Sequence, residues 1–371
     1  MFEFPVLSGE YGVSSHLFHW TDLTRYEQFS STPSTKREVL AQIWYPSNIH
    51  KDTLTQYAPE LIPAWKAGLR TAGFPESQLS ELDEIRVHAT PDAPILKLAK
   101  QYPVILFFHG YVAFRSAYTA MCEDLASHGF IVIGVGHTYY SQLTIFPDKR
   151  VIAALPEHLR QDKLCDELSS LNEQRIWLDD ASFVINQLIK VANDPHSKFY
   201  QCMDLQNFGA IGHSFGGSTA IQLARNDLRC KAAVNLDGAL FGNSPTVGFA
   251  KSIMIVVGQK SWKSFDSKTD HEISTQTGWP IKLVNILREK YKEAIPLLLR
   301  NQNAKTYFIE IEGADHGAFS DWVLLKSMPL YRLNRNIFDM EKLTGDVTGS
   351  AVISEINKNV ASFFKSTLIQ E

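Results

Sequence analysis

The chain has 371 residues, 44% of them hydrophobic and 20% charged, with a formal net charge of −4 at pH 7. That length can bury a large core, and the charge balance offers no basic footprint for a nucleic-acid partner. Four scattered cysteines (Cys122, Cys165, Cys202 and Cys230), with no CxxC pair among them, argue against a disulfide scaffold and against a zinc site.

The N-terminal "MFEFPVLSGEYG" has neither a basic start nor a long apolar run, so no secretory signal is expected and the chain reads as soluble and cytoplasmic. No stretch reaches the ~18 apolar residues of a spanning helix. Strand-length apolar runs recur at 37–46, 103–110, 129–137, 208–213, 231–238, 252–258 and 306–313. Most are apolar on both faces, as parallel strands covered by helices must be. Helical patterns lie between them. The segment 116–129 stops at Gly129, and 172–194 spaces Trp177, Ala181, Val184, Leu188 and Val191 along one face. The C-terminal 352–368 does the same with Ile353, Ile356, Val360 and Phe363. Alternation of this kind predicts one α/β domain, a mostly parallel sheet with helices on both faces. Two less regular stretches, 47–100 and 259–304, read as insertions into it.

Within the first insertion, Leu61, Ile62, Trp65 and Leu69 fall at helical spacing beside Lys66 and Arg70. A cap helix packed on the body is expected there, in preference to a patch that touches lipid. The segment 281–300 reads as a core-facing helix broken near Pro296.

The chemistry centres on "GAIGHSFGGSTA", residues 209–220. Glycine inside an element costs ~0.5–1 kcal/mol against alanine, so four glycines around Ser214 need a reason. G-x-S-x-G between a strand and a helix is the nucleophile elbow, a strained turn that lifts the serine hydroxyl above the sheet. Ser214 is the candidate nucleophile. A serine hydroxyl needs a histidine to take its proton and an acid to hold that histidine's tautomer, in the chain order Ser, Asp or Glu, His. Only His271 and His316 follow Ser214. His271 lies in a polar run expected to be a solvated loop, whereas His316 follows the last strand between Gly313 and Gly317. His316 is the candidate base.

Three acids are open at this point. Asp237 ends the first strand after the elbow, Asp266 lies where the general template places the acid, and Asp315 adjoins the histidine. Topology alone leans to Asp266. For the oxyanion hole, one backbone donor is expected at Phe215, directly after the nucleophile. The other is expected at Tyr111, in the loop "HGYV" after the strand 103–110, with His109 bracing that loop. There is no P-loop, dinucleotide fingerprint or metal-ligand spacing, so no cofactor and no metal are expected.

"VILFFHGYVAFRSAYTAMCEDLASHGFIVIGVGH", "AIGHSFGG", "NLDGALF" and "GADHGAFSDW" together resemble the plasma-type platelet-activating-factor acetylhydrolases, and the likeness runs from "GEYGV" to the C-terminal helix. The resemblance implies an α/β-hydrolase fold with cap-like insertions and a calcium-independent serine esterase. Such enzymes remove short or oxidised acyl chains from phospholipids, with a small ester or phospholipid as partner and a possible transient contact with lipid surfaces. It implies Asp237 as the acid, within an LDxxxF context, and backbone oxyanion donors at Tyr111 and Phe215. The segment 259–304 is longer than the family pattern and rich in charge. A broader carboxylesterase or cutinase-like lipase is the alternative; a non-catalytic binding protein is disfavoured because every triad position is filled.

Overall fold

The computed structural model describes residues 1–50, 53–242, 250–300 and 304–369; the expected insertions include 51–52 and 301–303, which lie outside the described residues. Nine strands form the central sheet. They are β1 (Gly12–Tyr26), β2 (Lys36–Ser47), β3 (Thr90–Pro91), β4 (Tyr102–Phe108), β5 (Ile131–Gly136), β6 (Met203–His213), β7 (Cys230–Leu236), β8 (Ser252–Gly258) and β9 (Thr306–Ile311). Their spatial order is β9-β8-β7-β6-β4-β5-β2-β1-β3. The strands from β9 to β5 run parallel, β2 is antiparallel to β5, and β1 is antiparallel to β2.

The two-sided apolar runs become strands because each face meets a separate core. Ile105 and Phe107 of β4 enter one core with Leu125, Val360 and Phe364, from the helices Thr119–Ser127 and Gly349–Leu368. Val104, Leu106 and Phe108 enter the other with Trp177, Val184 and Ile221, from the helices Glu167–Asn193 and Phe215–Asn226. The connectivity then fixes where a site can form. From β4 the chain passes to β5 on one side and then crosses to β6 on the other. A crevice therefore opens at the carboxyl ends of β4 and β6, where open α/β sheets place their ligands. This is the α/β-hydrolase arrangement.

Several expectations need correction. The long strand β1 was not anticipated, because "GVSSHLFHWTDLTRY" mixes polar and aromatic residues and its outer half is largely exposed. The segment after β8 is mostly helical, with Gln259–Ser267, Asp270–Thr277, Ile281–Leu287 and Ala294–Arg300. His271 is therefore on an exposed helix and not in a loop. The irregularity expected at Pro296 falls one turn earlier, at the π-helical Arg288–Glu293. Pro296 has no N–H to offer the preceding turn, and the wide turn before it absorbs that loss. The helix Ile62–Thr71 does pack on the body. Ile62 is buried, Trp65 meets Trp322 edge-on at 5.1 Å, and Lys66 pairs with Asp83 at 2.6 Å.

Candidate active site

The elbow forms where β6 ends. Ser214 sits at φ 56° and ψ −124°, a conformation that costs a non-glycine residue ~1–3 kcal/mol and needs surroundings that enforce it. Its N–H donates to the Leu236 carbonyl at 2.9 Å, and its carbonyl accepts from Gly217 N–H at 2.9 Å. A Cβ on Gly212 would collide with the Gly216 carbonyl, and one on Gly216 with the Phe108 carbonyl. No other residue type closes this turn. The bend leaves Ser214 half-exposed above the crevice.

His316 reaches the serine from the loop after β9. Its Nε2 lies 3.0 Å from Ser214 Oγ, and its Nδ1 lies 2.7 Å from Asp237 Oδ2. Asp237 follows β7 directly, at φ 52°, and its side chain is buried. Its other oxygen, Oδ1, accepts from Gly258 N–H at 2.8 Å, Ser261 Oγ at 2.9 Å and Tyr291 OH at 2.5 Å. The carboxylate is thereby fixed in rotation, with Oδ2 left for the imidazole. Burial works against its charge, but the His316 hydrogen bond and the other donors prevail, and its pKa lies below the ordinary carboxylate value. Desolvation likewise opposes a charged His316, yet the hydrogen bond and charge of Asp237 outweigh it and raise the imidazole pKa.

The other two acids are elsewhere. Asp266 pairs with Lys292 at 2.6 Å on the surface of the helix Gln259–Ser267. Asp315 accepts the backbone N–H of His316 at 2.8 Å and so caps the short turn His316–Phe319; it does not address the ring. The structure thus brings Ser214, His316 and Asp237 together and leaves Asp266 and Asp315 out.

The loop after β4 lies against the elbow. A Cβ on Gly110 would stand 3.4 Å from Ser214 Cβ, and the following Tyr111 lines the same cavity as Ser214. Phe215 opens the helix Phe215–Asn226, whose first N–H groups have no partner within the helix. The rings of Tyr111 and Phe215 meet edge-to-face at 5.4 Å. His109 donates from Nδ1 to the Gly110 carbonyl at 2.7 Å, and burial pushes its pKa down to about 3, consistent with a neutral brace.

A relay that no local pattern announces ties these parts together. Gly110 N–H donates to Tyr118 OH at 3.0 Å, Tyr118 OH lies 2.8 Å from His213 Nδ1, and His213 Nε2 lies 2.9 Å from the His316 carbonyl. The carbonyl can only accept, so Nε2 carries the proton and Nδ1 takes the tyrosine's. Burial and the neighbouring His316 charge hold His213 neutral, with a pKa of about 3. One tyrosine and one histidine therefore tie the loop after β4, the elbow and the loop after β9 to one another. Both residues lie inside quoted stretches of the sequence, but they are 95 positions apart and nothing local connects them.

A cavity of about 630 Å³ opens onto Ser214, with apolar walls from Leu164, Phe241, Phe265, Trp279 and Leu283 beneath the helices after β8. Among the described residues, no group of His, Cys, Asp and Glu is placed to hold a metal ion.

The fold is that of the α/β-hydrolases, with Ser214, His316 and Asp237 in one hydrogen-bonded line at the carboxyl ends of its strands. The chain belongs to the family of platelet-activating factor acetylhydrolase, isoform II, whose model matches residues 27–193 and 184–368. It is similar to the platelet-activating factor acetylhydrolase of Cavia porcellus, 30% identical over 227 residues, covering 56% of this chain and 51% of that one. It is also similar to that of Bos taurus, 29% identical over 300 residues, covering 74% of this chain and 59% of that one. The chain thus spans little more than half the length of these two relatives. A ferulic acid esterase from Streptomyces cinnamoneus shares the fold, with a TM-score of 0.74 at 22% identity over 99% of this chain and 93% of that one.

Proposed function

We propose that the protein is a serine esterase that hydrolyses short or oxidised acyl esters of phospholipids through an acyl-Ser214 intermediate. One observation carries this: Ser214 Oγ, both imidazole nitrogens of His316 and a fixed Asp237 carboxylate stand in one hydrogen-bonded line. In the first half-reaction His316 Nε2 takes the Ser214 proton as Oγ attacks the acyl carbonyl. The backbone N–H groups of Tyr111 and Phe215 receive the oxyanion, and His316 returns the proton to the departing alcohol. Water then attacks the acyl-serine, with His316 again as base. Asp237 holds the Nδ1 proton throughout and stabilises the imidazolium.

The family supports the phospholipid class. The apolar walls of the 630 Å³ cavity favour a second reading, a carboxylesterase with a wider acyl range. Contact with a lipid surface belongs to the first proposal; on the helix Ile62–Thr71, Trp65 is engaged with Trp322. A panel of phosphatidylcholines with sn-2 chains from acetyl to palmitoyl, run beside matched p-nitrophenyl esters, tests the choice. The phospholipid reading expects kcat/KM to fall with chain length and to hold on phosphocholine substrates. Turnover confined to the p-nitrophenyl esters would leave only the carboxylesterase.

A further inference from the structure

The helical segment after β8 does more than roof the cavity. Its π-helical turn, Arg288–Glu293, carries Tyr291, whose hydroxyl donates to Asp237 Oδ1 at 2.5 Å. We infer that Tyr291 is a positioning residue for the proposed hydrolysis, delivered by the cap to the far side of the acid so that Asp237 presents one defined oxygen to His316. This rests on the serine-esterase reading above, since only there does the orientation of His316 matter.

Three features make the contact specific. A π turn inserts one residue into a helix and rotates the side chains beyond it, a distortion frequent at functional sites, and here the turn accommodated before Pro296 is the one that carries Tyr291. The Tyr291 ring is held edge-on by Trp262 at 5.0 Å and by Phe265 at 5.7 Å, and the residue is 4% exposed. The turn is also stitched to the acid's own loop, because Leu240 N–H donates to the Lys290 carbonyl at 2.8 Å. Arg288 anchors the same turn from its other side, through Asp270 at 2.6 Å and the Lys268 carbonyl at 3.1 Å. The acid, 54 positions away in sequence, is thus gripped by a segment that also walls the cavity.

Tyr291→Phe removes one charge-assisted donor and keeps the ring packing. Asp237 retains Gly258 N–H and Ser261 Oγ, so the loss in kcat is about tenfold and not complete. The pH profile separates positioning from mere support. A carboxylate with one donor fewer is a stronger acceptor, so it holds the imidazolium more tightly, and the acid limb of kcat/KM moves to higher pH. The titratable groups facing the pair are Asp315 and His213, from the base loop and the elbow, with Lys260 beside Asp315. The substitution leaves all three in place.

The experiment compares wild type and Tyr291→Phe for kcat and KM on p-nitrophenyl acetate from pH 5 to 9, for thermal midpoint, and for the downfield Nδ1–H proton resonance of His316. Expected are a kcat loss of about tenfold with KM little changed, an upward shift of the acid limb, a moved Nδ1–H resonance and a midpoint within a few degrees. Unchanged limb and resonance in an active variant would overturn the inference while leaving the esterase intact. A kcat loss that merely tracks a collapsed midpoint, with the Ser261→Ala limb also unmoved, would do the same. Wild type that shows no turnover and no serine labelling would instead refute the reading beneath it.

Discussion

Replacing Asp237 by asparagine tests the acid most sharply, because the structure dictates which way the new amide must face. Three donors converge on Oδ1, from Gly258 N–H, Ser261 Oγ and Tyr291 OH. An amide NH2 cannot receive them, so the asparagine oxygen must occupy the Oδ1 position and its NH2 must take the place of Oδ2, 2.7 Å from His316 Nδ1. Nδ1 is then forced to accept and the ring proton moves to Nε2. That proton points at Ser214 Oγ, where an unprotonated nitrogen is required. An equivalent exchange in a well-studied serine protease lowers kcat by ~10⁴, or about 5 kcal/mol of barrier at 1.36 kcal/mol per decade. We expect a similar loss for Asp237→Asn and near-normal turnover for Asp266→Asn, whose exposed carboxylate pairs with Lys292. Initial rates on p-nitrophenyl acetate under identical conditions, with thermal unfolding as a folding control, decide the matter. Asp237→Asn within tenfold of wild type, or an equal loss at Asp266, would refute the tautomer argument.

Two further outcomes follow from the site. In the proposed mechanism neutral His316 is the base, and Asp237 raises its pKa above the ordinary 6.5. Activity should therefore climb as pH rises through the raised value, with the acid limb of kcat/KM above 6.5; a limb well below that would show that His316 is not the titrating group. In the proposed mechanism the backbone N–H groups of Tyr111 and Phe215 supply the electrostatic stabilisation, so initial rates should be the same with and without excess EDTA, and a loss that calcium restores would contradict the oxyanion assignment.

The legible parts of this molecule were those written in contiguous residues. Two-sided apolar runs such as "PVILFFHG" mark covered strands, although the run 37–46 became β2, which is antiparallel to both neighbours, and Gly212 and Gly216 mark a turn that a Cβ would block. His316 was narrowed by chain order and by its place after the last strand. Asp237 was not separable from Asp266 on local grounds. What distinguishes them is that Asp237 leaves β7 at φ 52° with its side chain turned under His316, and no short pattern encodes that. It came from the family resemblance. The strand β1 is not legible because most of its side chains are at most partly buried and its last residues are largely exposed, which breaks both the continuous run and clean alternation. The helices after β8 are seven to nine residues each, shorter than the window in which helical period can be counted. Their charges are those of a cap buried on one side only. Tyr118, His213 and Tyr291 each have a partner 54 to 103 positions away, so only the folded chain brings these contacts together.

The central claim is that Ser214 is an activated nucleophile, and intact mass after treatment with a fluorophosphonate measures this directly. Wild type should gain a single adduct that maps to Ser214 and lose esterase activity in step with it. Ser214→Ala, folded to the same thermal midpoint, should gain none and show no turnover beyond a small residue from binding and the oxyanion hole. An unlabelled wild-type serine, or near-normal turnover in Ser214→Ala, would contradict the account.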